Sequence, residues 1–444
     1  MPVSAARLAA FRILLRVEAE DSYASELLHS SLTASLSPDD LRLATELVFG
    51  TLRQRRLLDY RLASCSAKAL SLLDAEVLTA LRLGAYQLQF LERVPGRAAV
   101  YESVELVKAA RLKSATGFVN AILRKLARDD LANTLKAFEA PTATALSIRY
   151  SHPEWLVERW LERYGSAKVI RLLEHNNRPP QLHCRSNSPG LDSDALSAML
   201  ARQSVRCEAH LLSNDILKVT EGDLYKTTLF RDRRIAVQDA GSQVVPYLLD
   251  LAPSDACLDL CAGVGGKTAQ MARLKGSASP LFATDLHWHR LQIARRLHSG
   301  NWKNLNWVAC DATRALPFRR CFDKILVDAP CSGTGTLQRH PEIRWRLQPE
   351  RIKEFQPLQL SLLDTAFQYL KVGGTLVYST CSLEPEENEA VVEAFLNHHP
   401  TAALILPAMP SLQRWFSPTR FFNLFPPDAE SDGFFAAIIR KATA

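Results

Sequence analysis

The chain has 444 residues, of which 47% are hydrophobic and 23% are charged. These are ordinary globular values, and they exclude a disordered, collagen-like or coiled-coil protein. The net charge of +7 permits a nucleic-acid partner but does not establish one. It divides into +3 for residues 1–140, +3 for residues 141–235 and +1 for residues 236–444. Most of the positive excess therefore precedes the C-terminal part of the chain.

No stretch is apolar and long enough to span a membrane, and Arg7, Arg12 and Arg16 interrupt any apolar signal segment. The 9 cysteines include no C-x-x-C pair, which argues against a disulfide framework and a clustered zinc site. We therefore expect a cytoplasmic protein with reduced thiols, no bound metal and no membrane partner.

The first 140 residues are predicted to form an all-helical domain, because apolar residues recur every three or four positions. Examples are Leu8, Phe11, Leu14 and Leu15. Ser37 followed by Pro38 predicts a helix start with Ser37 as N-cap. A basic cluster follows in this part of the chain: Arg53, Arg55, Arg56 and Arg61. It is either a solvated helix face or a surface for RNA, with Arg53, Arg55 and Arg56 as the candidate contacts.

Residues 141–235 are predicted to form a small α+β module that serves as a linker or an RNA-binding element. A helix begins after Pro153 and continues towards Tyr164. A strand is predicted at 182–185 and another helix at 194–202. No catalytic motif occurs in this part.

Residues 236–444 alternate short apolar strands with helices, which predicts a Rossmann-like α/β domain with a parallel sheet covered on both faces. Five strands are predicted, beginning at Cys257, Pro280, Asn306, Lys324 and Thr375. In such sheets ligands bind at the carboxyl ends of the strands.

A glycine-rich loop, Asp259 to Thr268, joins the first of these strands to a helix. It is not a P-loop, because Cys261 stands where that motif needs glycine. It is not a dinucleotide fingerprint either, because Thr268 takes the place of the third glycine. Asp285 and Asp311 follow the next two strands and suit ribose hydroxyls and an adenine amine. A glycine loop followed by two acids is typical of a site for S-adenosylmethionine (AdoMet).

Two cysteines, Cys331 and Cys381, follow the fourth and fifth strands, and each precedes a serine. If these strands are neighbours, both thiols face one cleft beside the cofactor. A thiolate that attacks carbon 6 of cytosine makes carbon 5 nucleophilic enough to take the AdoMet methyl group. Asp328 is placed to contact the base at N3. One cysteine attacks and the other assists release of the product.

Three arginines follow the Cys331 loop closely: Arg339, Arg344 and Arg346. A basic run beside a catalytic loop is predicted to hold substrate phosphates, and the alternative is a solvated loop.

These motifs resemble the Sun-type RNA cytosine-C5 methyltransferases over essentially the whole chain. The resemblance rests on Asp328-Ala-Pro-Cys-Ser-Gly-Thr-Gly, Thr380-Cys-Ser and Pro385-Glu-Glu-Asn. The N-terminal part is similar to NusB-like RNA-binding domains through Gly117-Phe-Val-Asn-Ala-Ile-Leu-Arg. That attachment marks the branch that acts on small-subunit (16S) ribosomal RNA.

The resemblance implies that Cys381 is the nucleophile and that Cys331 assists product release. We also expect a monomer. It places AdoMet against the following residues: Cys261, Ala262, Gly263, Val264, Gly265, Gly266, Lys267, Asp285, Asp311 and Asp328. One departure is clear, since the family usually has Ala-Pro where this chain has Gly263-Val264. Losing the proline frees the loop backbone and affects the expected cofactor affinity.

Two other functions are compatible with parts of this pattern. An enzyme that methylates an exocyclic amine on nucleic acid has a similar strand-end motif, but with an aromatic residue in the place of Cys331. A NusB-like RNA-binding factor with a silenced methyltransferase domain would not need Cys381 or the glycine loop. Binding of AdoMet separates this last alternative from the enzymes.

Overall fold

The chain forms two compact units in the computed structural model, which describes residues 3–20, 22–276, 278–298, 302, 304–319 and 322–443. The first unit comprises Met1–Pro179 and Leu337–Arg346, and the second comprises Pro180–Thr336 and Leu347–Ala444. Among the described residues, no helix has the length and apolar character that crossing a membrane requires. The domain boundaries after residues 140 and 235 stay a prediction.

The first unit is helical, as the apolar period predicts. Its helices are α1 (Ala5–Ala19), α2 (Ala24–Leu27), α3 (Pro38–Cys65), α4 (Ala75–Phe90), α5 (Gly96–Ala109), α6 (Thr116–Leu126), α7 (Leu131–Lys136), α8 (Ala143–Arg149) and α9 (Glu154–Asn177). Ser37 caps α3 as predicted, since its Oγ accepts a hydrogen bond from the Asp40 amide at 3.1 Å. The backbone of α9 leaves helical geometry at Gly165, directly after Tyr164, where the predicted helix ends.

The second unit begins with the predicted small α+β module. Its elements are β1 (His183–Ser186), α10 (Ser193–Ala201), β2 (Arg206–His210), β3 (Ser213–Glu221), α11 (Thr228–Arg231) and β4 (Ile235–Val237). The strands form an antiparallel sheet in the order β2-β3-β1-β4. The predicted strand and second helix correspond to β1 and α10, whereas the hairpin of β2 and β3 was not predicted.

The rest of the second unit is an α/β domain around an eight-stranded sheet. Its strands are β5 (Cys257–Asp259), β6 (Leu281–Asp285), β7 (Leu305–Ala309), β8 (Phe322–Asp328), β9 (Leu370–Thr380), β10 (Ala402–Leu404), β11 (Phe422–Leu424) and β12 (Phe434–Lys441). Its helices are α12 (Ala240–Val244), α13 (Gly266–Lys275), α14 (Trp288–His298), α16 (Pro349–Gln368), α17 (Glu389–His398), α18 (Pro410–Gln413) and α19 (Pro426–Ala429), while α15 (Ile343–Arg346) belongs to the first unit.

The sheet order is β10-β12-β9-β8-β5-β6-β7, and β11 pairs with β12. The five predicted strands are mutually parallel and occur in neighbouring positions. The sheet as a whole is mixed, because β12 pairs with β9 in the antiparallel direction. Chain order reverses between β5 and β8, which is the kind of switch point where α/β sheets bind ligands.

Apolar side chains cover both faces of this sheet and form two cores. All of β5 is buried, and so is the middle of β8. Continuous burial is what a parallel strand between two helical layers requires. The polar residues at the strand ends therefore stand on a rigid support.

Candidate active site

The loop after β5 depends on two glycines with left-handed backbones. Gly263 has φ +56° and Gly265 has φ +81°. A Cβ at Gly265 would lie 2.7 Å from the Trp307 ring, whereas a Cβ at Gly263 would meet nothing within 4 Å. Glycine at 263 thus fits a backbone that L side chains rarely adopt. The loop then passes directly into α13.

Asp285 ends β6 and holds this loop. Its Oδ2 accepts a hydrogen bond from the Gly263 amide at 3.0 Å, and its Oδ1 accepts one from the His287 amide at 2.8 Å. The side chain is buried next to the loop backbone. Asp311 follows β7 and is more exposed, with Oδ1 accepting hydrogen bonds from the Thr313 amide and hydroxyl. Those bonds lower the pKa of Asp311.

Asp259, at the end of β5, was not among the predicted site residues. It is 1% exposed, and its Oδ2 accepts a hydrogen bond from the Thr268 hydroxyl at 2.6 Å. Its Oδ1 has no partner among the described residues. Burial raises the pKa of Asp259 to about 7, and the nearby carboxylates of Asp328 and Asp285 add to the effect. Its position at the carboxyl end of the first strand was the signal that could have identified it.

Lys267 and Asp328 form an ion pair inside the cleft. The Lys267 Nζ lies 2.7 Å from the Asp328 Oδ2, and the Ser379 hydroxyl donates to the Asp328 Oδ1 at 2.9 Å. Burial alone would lower the pKa of Lys267, but the attraction of Asp328 outweighs it and the pKa is raised. The structure thus connects the glycine-rich loop to the ends of β8 and β9.

The two predicted cysteines lie side by side, as expected. The register pairs Asp328 of β8 with Ser379 of β9, so both strands end at the same level. The sulfur atoms of Cys331 and Cys381 are 3.3 Å apart, and both thiols are free. The pKa of Cys331 is raised well above its ordinary value, first by Cys381, then by burial and by the charge of Glu387. The raised pKa favours the protonated thiol at Cys331, and either sulfur atom can be the donor of the contact between them.

Comparison with known proteins assigns these domains. A model described as 16S rRNA methyltransferase RsmB/F matches residues 246–440. A NusB family model matches residues 4–128, and a ferredoxin-like domain model of RsmF/B-like methyltransferases matches residues 152–223.

Relatives align over nearly the whole chain. The probable ribosomal RNA small subunit methyltransferase B of Bacillus subtilis (strain 168) is 32% identical over 448 residues, covering 99% of this chain and 100% of the relative. The ribosomal RNA small subunit methyltransferase B of Sodalis glossinidius (strain morsitans) is 34% identical over 425 residues, with 93% and 92% covered. The crystal structure of PH0851 shares the fold, with a TM-score of 0.82 at 24% identity and 99% and 100% coverage.

The chain belongs to the RsmB/F family of 16S rRNA methyltransferases. The predicted three-part fold is confirmed: a NusB-like helical N-terminus, a ferredoxin-like middle module and an α/β methyltransferase domain. AdoMet is the methyl donor of this family.

In this RsmB/F-family chain one residue of the small module contacts the end of the glycine-rich loop, although no catalytic motif was predicted in that module. Arg185 of β1 is 1% exposed. It donates to the Gly266 carbonyl oxygen at 2.9 Å and to the Gln238 Oε1 at 3.1 Å. The small module therefore fixes the start of α13. Nothing in the local sequence around Arg185 indicates this contact, because it joins two segments that are far apart in the chain.

The arginines predicted to contact RNA from the helical part are held by other residues. Arg53 is 7% exposed and donates to the Gln338 carbonyl oxygen at 3.2 Å. Arg55 and Arg56 form ion pairs with Glu18 at 2.8 Å and with Glu154 at 2.9 Å. Arg61, of the same cluster, is also buried. This environment favours a structural role for Arg53.

The arginines after the Cys331 loop are also bound within the first unit. Arg344 is 1% exposed and donates to four backbone carbonyl oxygens and one side-chain oxygen, those of Arg53, Ser151, Asn176, Leu337 and Asn177. Arg346 donates to the carbonyl oxygens of Val17, Glu20 and Ser22. Arg339 is half-buried. Arg344 thus occupies neither a solvated loop nor an open phosphate site, and RNA contacts by Arg346 and Arg339 stay a prediction.

Proposed function

We propose that this enzyme transfers the methyl group of AdoMet to carbon 5 of a specific cytosine in 16S rRNA, through a covalent bond between Cys381 and carbon 6. The observation that carries the proposal is the pair of free thiols, 3.3 Å apart, at the ends of β8 and β9. The relatives are rRNA small subunit methyltransferases, which supports the same substrate here.

The cleft is suited to hold AdoMet, which supplies an electrophilic methyl group when bound. Asp259 keeps a buried oxygen without a partner below the loop, and the loop presents open space above Gly263. We assign the segment Cys261–Lys267 to the cofactor, with Asp285 at the ribose hydroxyls and Asp311 at the adenine amine. Asp328 is bound to this segment by its ion pair with Lys267, and it shortly precedes Cys331 in the chain.

The mechanism divides the work between the two sulfur atoms. The Cys381 thiolate donates an electron pair to carbon 6, and the electrons displaced from the ring double bond make carbon 5 nucleophilic. A proton donated to N3 through the Asp328 carboxyl group relieves the negative charge that develops on the ring. After methylation, removal of the carbon-5 proton lets the electrons return to the ring and expel the Cys381 thiolate. A base takes that proton, and Cys331 assists as a thiol, because its S–H lies 3.3 Å from the Cys381 sulfur and can donate a hydrogen bond to the departing thiolate.

The substrate and the chemistry can be tested in cells. A strain lacking the gene is complemented with the wild-type chain or with Cys381→Ser. Bisulfite sequencing of 16S rRNA then locates the protected cytosine, and nucleoside chromatography separates 5-methylcytidine from N4-methylcytidine. We expect one protected 5-methylcytidine, restored by the wild type alone. Appearance of N4-methylcytidine would instead support an enzyme that methylates an exocyclic amine. Failure to bind AdoMet in calorimetry would support a non-catalytic RNA-binding factor.

A further inference from the structure

A buried carboxylate lies behind the two cysteines. Glu387 is 0% exposed. Its Oε2 accepts hydrogen bonds from the hydroxyls of Ser332 and Ser382, and its Oε1 accepts one from the Ser332 amide at 2.7 Å. Among the described residues it has no ion-pair partner, so its charge is met by hydrogen-bond donors alone. Such charge-assisted bonds are the strong ones.

The two serines connect this carboxylate to both cysteines. Ser332 directly follows Cys331, and Ser382 directly follows Cys381. Their hydroxyl oxygens are 3.1 Å apart. One carboxylate oxygen therefore joins the loop after β8 to the loop after β9.

Glu387 is itself fixed from the other side. The Gln359 amide of α16 donates to its Oε1 at 3.2 Å and to the Pro330 carbonyl oxygen at 3.0 Å. The Tyr378 hydroxyl of β9 donates to the Glu387 backbone oxygen at 2.6 Å. The carboxylate has little freedom to move, and the loops that it binds share that restriction.

We propose that Glu387 is a positioning residue that sets the spacing of the two catalytic sulfur atoms by fastening the serine beside each of them. The proposal rests on the two-cysteine reaction proposed above. A second consequence concerns charge, because Glu387 helps to raise the pKa of Cys331. Without that charge the Cys331 thiol loses its proton at a lower pH.

The first test compares Glu387→Gln with Glu393→Gln, which removes an exposed carboxylate from the following helix, α17. The glutamine amide would point hydrogens at the Ser332 amide or at the hydroxyls, so the loops shift. A displacement of about 1 Å costs on the order of 100-fold in rate. We therefore expect kcat to fall about 100-fold for Glu387→Gln, with the Kd for AdoMet and the KM for RNA unchanged. Equal kcat values for the two variants contradict the proposal.

A double-mutant comparison shows whether Glu387 acts through the serines. In a Ser332→Ala, Ser382→Ala background, Glu387→Gln should add much less than in the wild type, because both hydroxyl contacts of the carboxylate are already gone and, of its contacts with the two serines, only the Ser332 amide remains. If the losses in kcat of the serine variant and of Glu387→Gln multiply, Glu387 acts independently of the two serines, which contradicts the proposal. If Glu387→Gln does not fold, Ser382→Ala takes its place. A kcat and alkylation profile equal to the wild type in Ser382→Ala would then overturn the proposal.

A last experiment needs no RNA, so it tests the role of Glu387 independently of the proposed methylation reaction. Iodoacetamide alkylation of Cys331, resolved by mass spectrometry, is measured across pH. Glu387→Gln should move the profile to lower pH, and Glu393→Gln should leave it in place. If the wild type forms no 5-methylcytidine, the proposed reaction fails while this arm still reports on Glu387. An unshifted profile together with wild-type kcat refutes the positioning role alone.

Discussion

At the scale of single residues, the site is a set of carboxylates in different environments. Asp285 is hydrogen bonded to backbone amides, Asp328 is paired with Lys267, and Asp259 is buried with an oxygen left over. Burial raises the pKa of Asp259 to about 7. The acids therefore have distinct tasks, although all three end strands of one sheet.

Asp285→Ala tests the cofactor assignment. The change removes both the expected ribose contact and the hydrogen bond that holds the Gly263 amide. We expect AdoMet binding to weaken by about 1–3 kcal/mol, the range for polar partners left unpaired. Calorimetry measures it, with circular dichroism to confirm folding. Unchanged affinity in a folded variant would remove Asp285 from the site.

Asp259 predicts a pH dependence of stability. Its folded pKa of about 7 lies above the ordinary value of 3.8, so the folded state binds the proton more tightly. The wild type should lose stability relative to Asp259→Asn as pH rises from about 4 to about 7, by up to about 1.4 kcal/mol per pH unit. Urea unfolding of both proteins at pH 5 and pH 8 measures this difference. A difference that does not change with pH contradicts the assignment.

At the scale of elements, the sequence was informative where local pattern decides structure. The five parallel strands and the cap at Ser37 follow from apolar runs and local hydrogen bonding. The strand β12 was not predicted, because a continuous apolar run does not by itself distinguish a strand from a buried helix, and pairing with β9 decides the structure. Glu387 was missed as a site residue for a similar reason. A glutamate before a helix usually stands in solvent, and only the tertiary fold buries this one.

Gly265→Ala tests the geometry of the cofactor loop. Both Gly265 and Gly276 have positive φ, but only a Cβ at Gly265 meets a neighbour, the Trp307 ring. We expect Gly276→Ala to cost about 1–3 kcal/mol of unfolding free energy from backbone strain, because its φ of 70° and ψ of −161° lie in a region that is essentially restricted to glycine. Gly265→Ala should cost about 1–3 kcal/mol more because of overpacking. Urea unfolding of the two variants measures the difference, and equal costs would contradict the close approach of Trp307.

At the scale of the whole molecule, the path of the chain joins the two units. The chain leaves the second unit after Thr336, forms Leu337–Arg346 within the first unit and returns at Leu347. Arg344 anchors that segment, and Trp345 donates to the Leu52 carbonyl oxygen at 2.8 Å. The sequence predicted a phosphate contact for this basic run. It could not indicate that Arg344 is buried, because that burial depends on carbonyl groups far away in sequence. The segment after the Cys331 loop is thus part of the helical unit.

Arg344→Lys separates a structural role from an RNA contact. A lysine keeps the charge but cannot reach all five oxygen acceptors that the guanidinium satisfies. We expect a loss of about 2–4 kcal/mol in the unfolding free energy of the full chain, since several buried acceptors lose their donor. Arg202→Lys, an exposed change, serves as control. Wild-type stability with weakened RNA binding would instead support the phosphate contact.

The central claim is that Cys381 attacks the base and Cys331 releases it, and covalent trapping tests it most directly. Purified wild type, Cys331→Ser, Cys381→Ser and the double variant are incubated with 16S rRNA and AdoMet and run on a denaturing gel. Serine is too weakly acidic to replace a thiolate at neutral pH. We predict a slow protein–RNA band with Cys331→Ser and none with Cys381→Ser or the double variant. A band with Cys381→Ser would exchange the two roles, and activity in both single variants without a trapped band would contradict the thiolate mechanism.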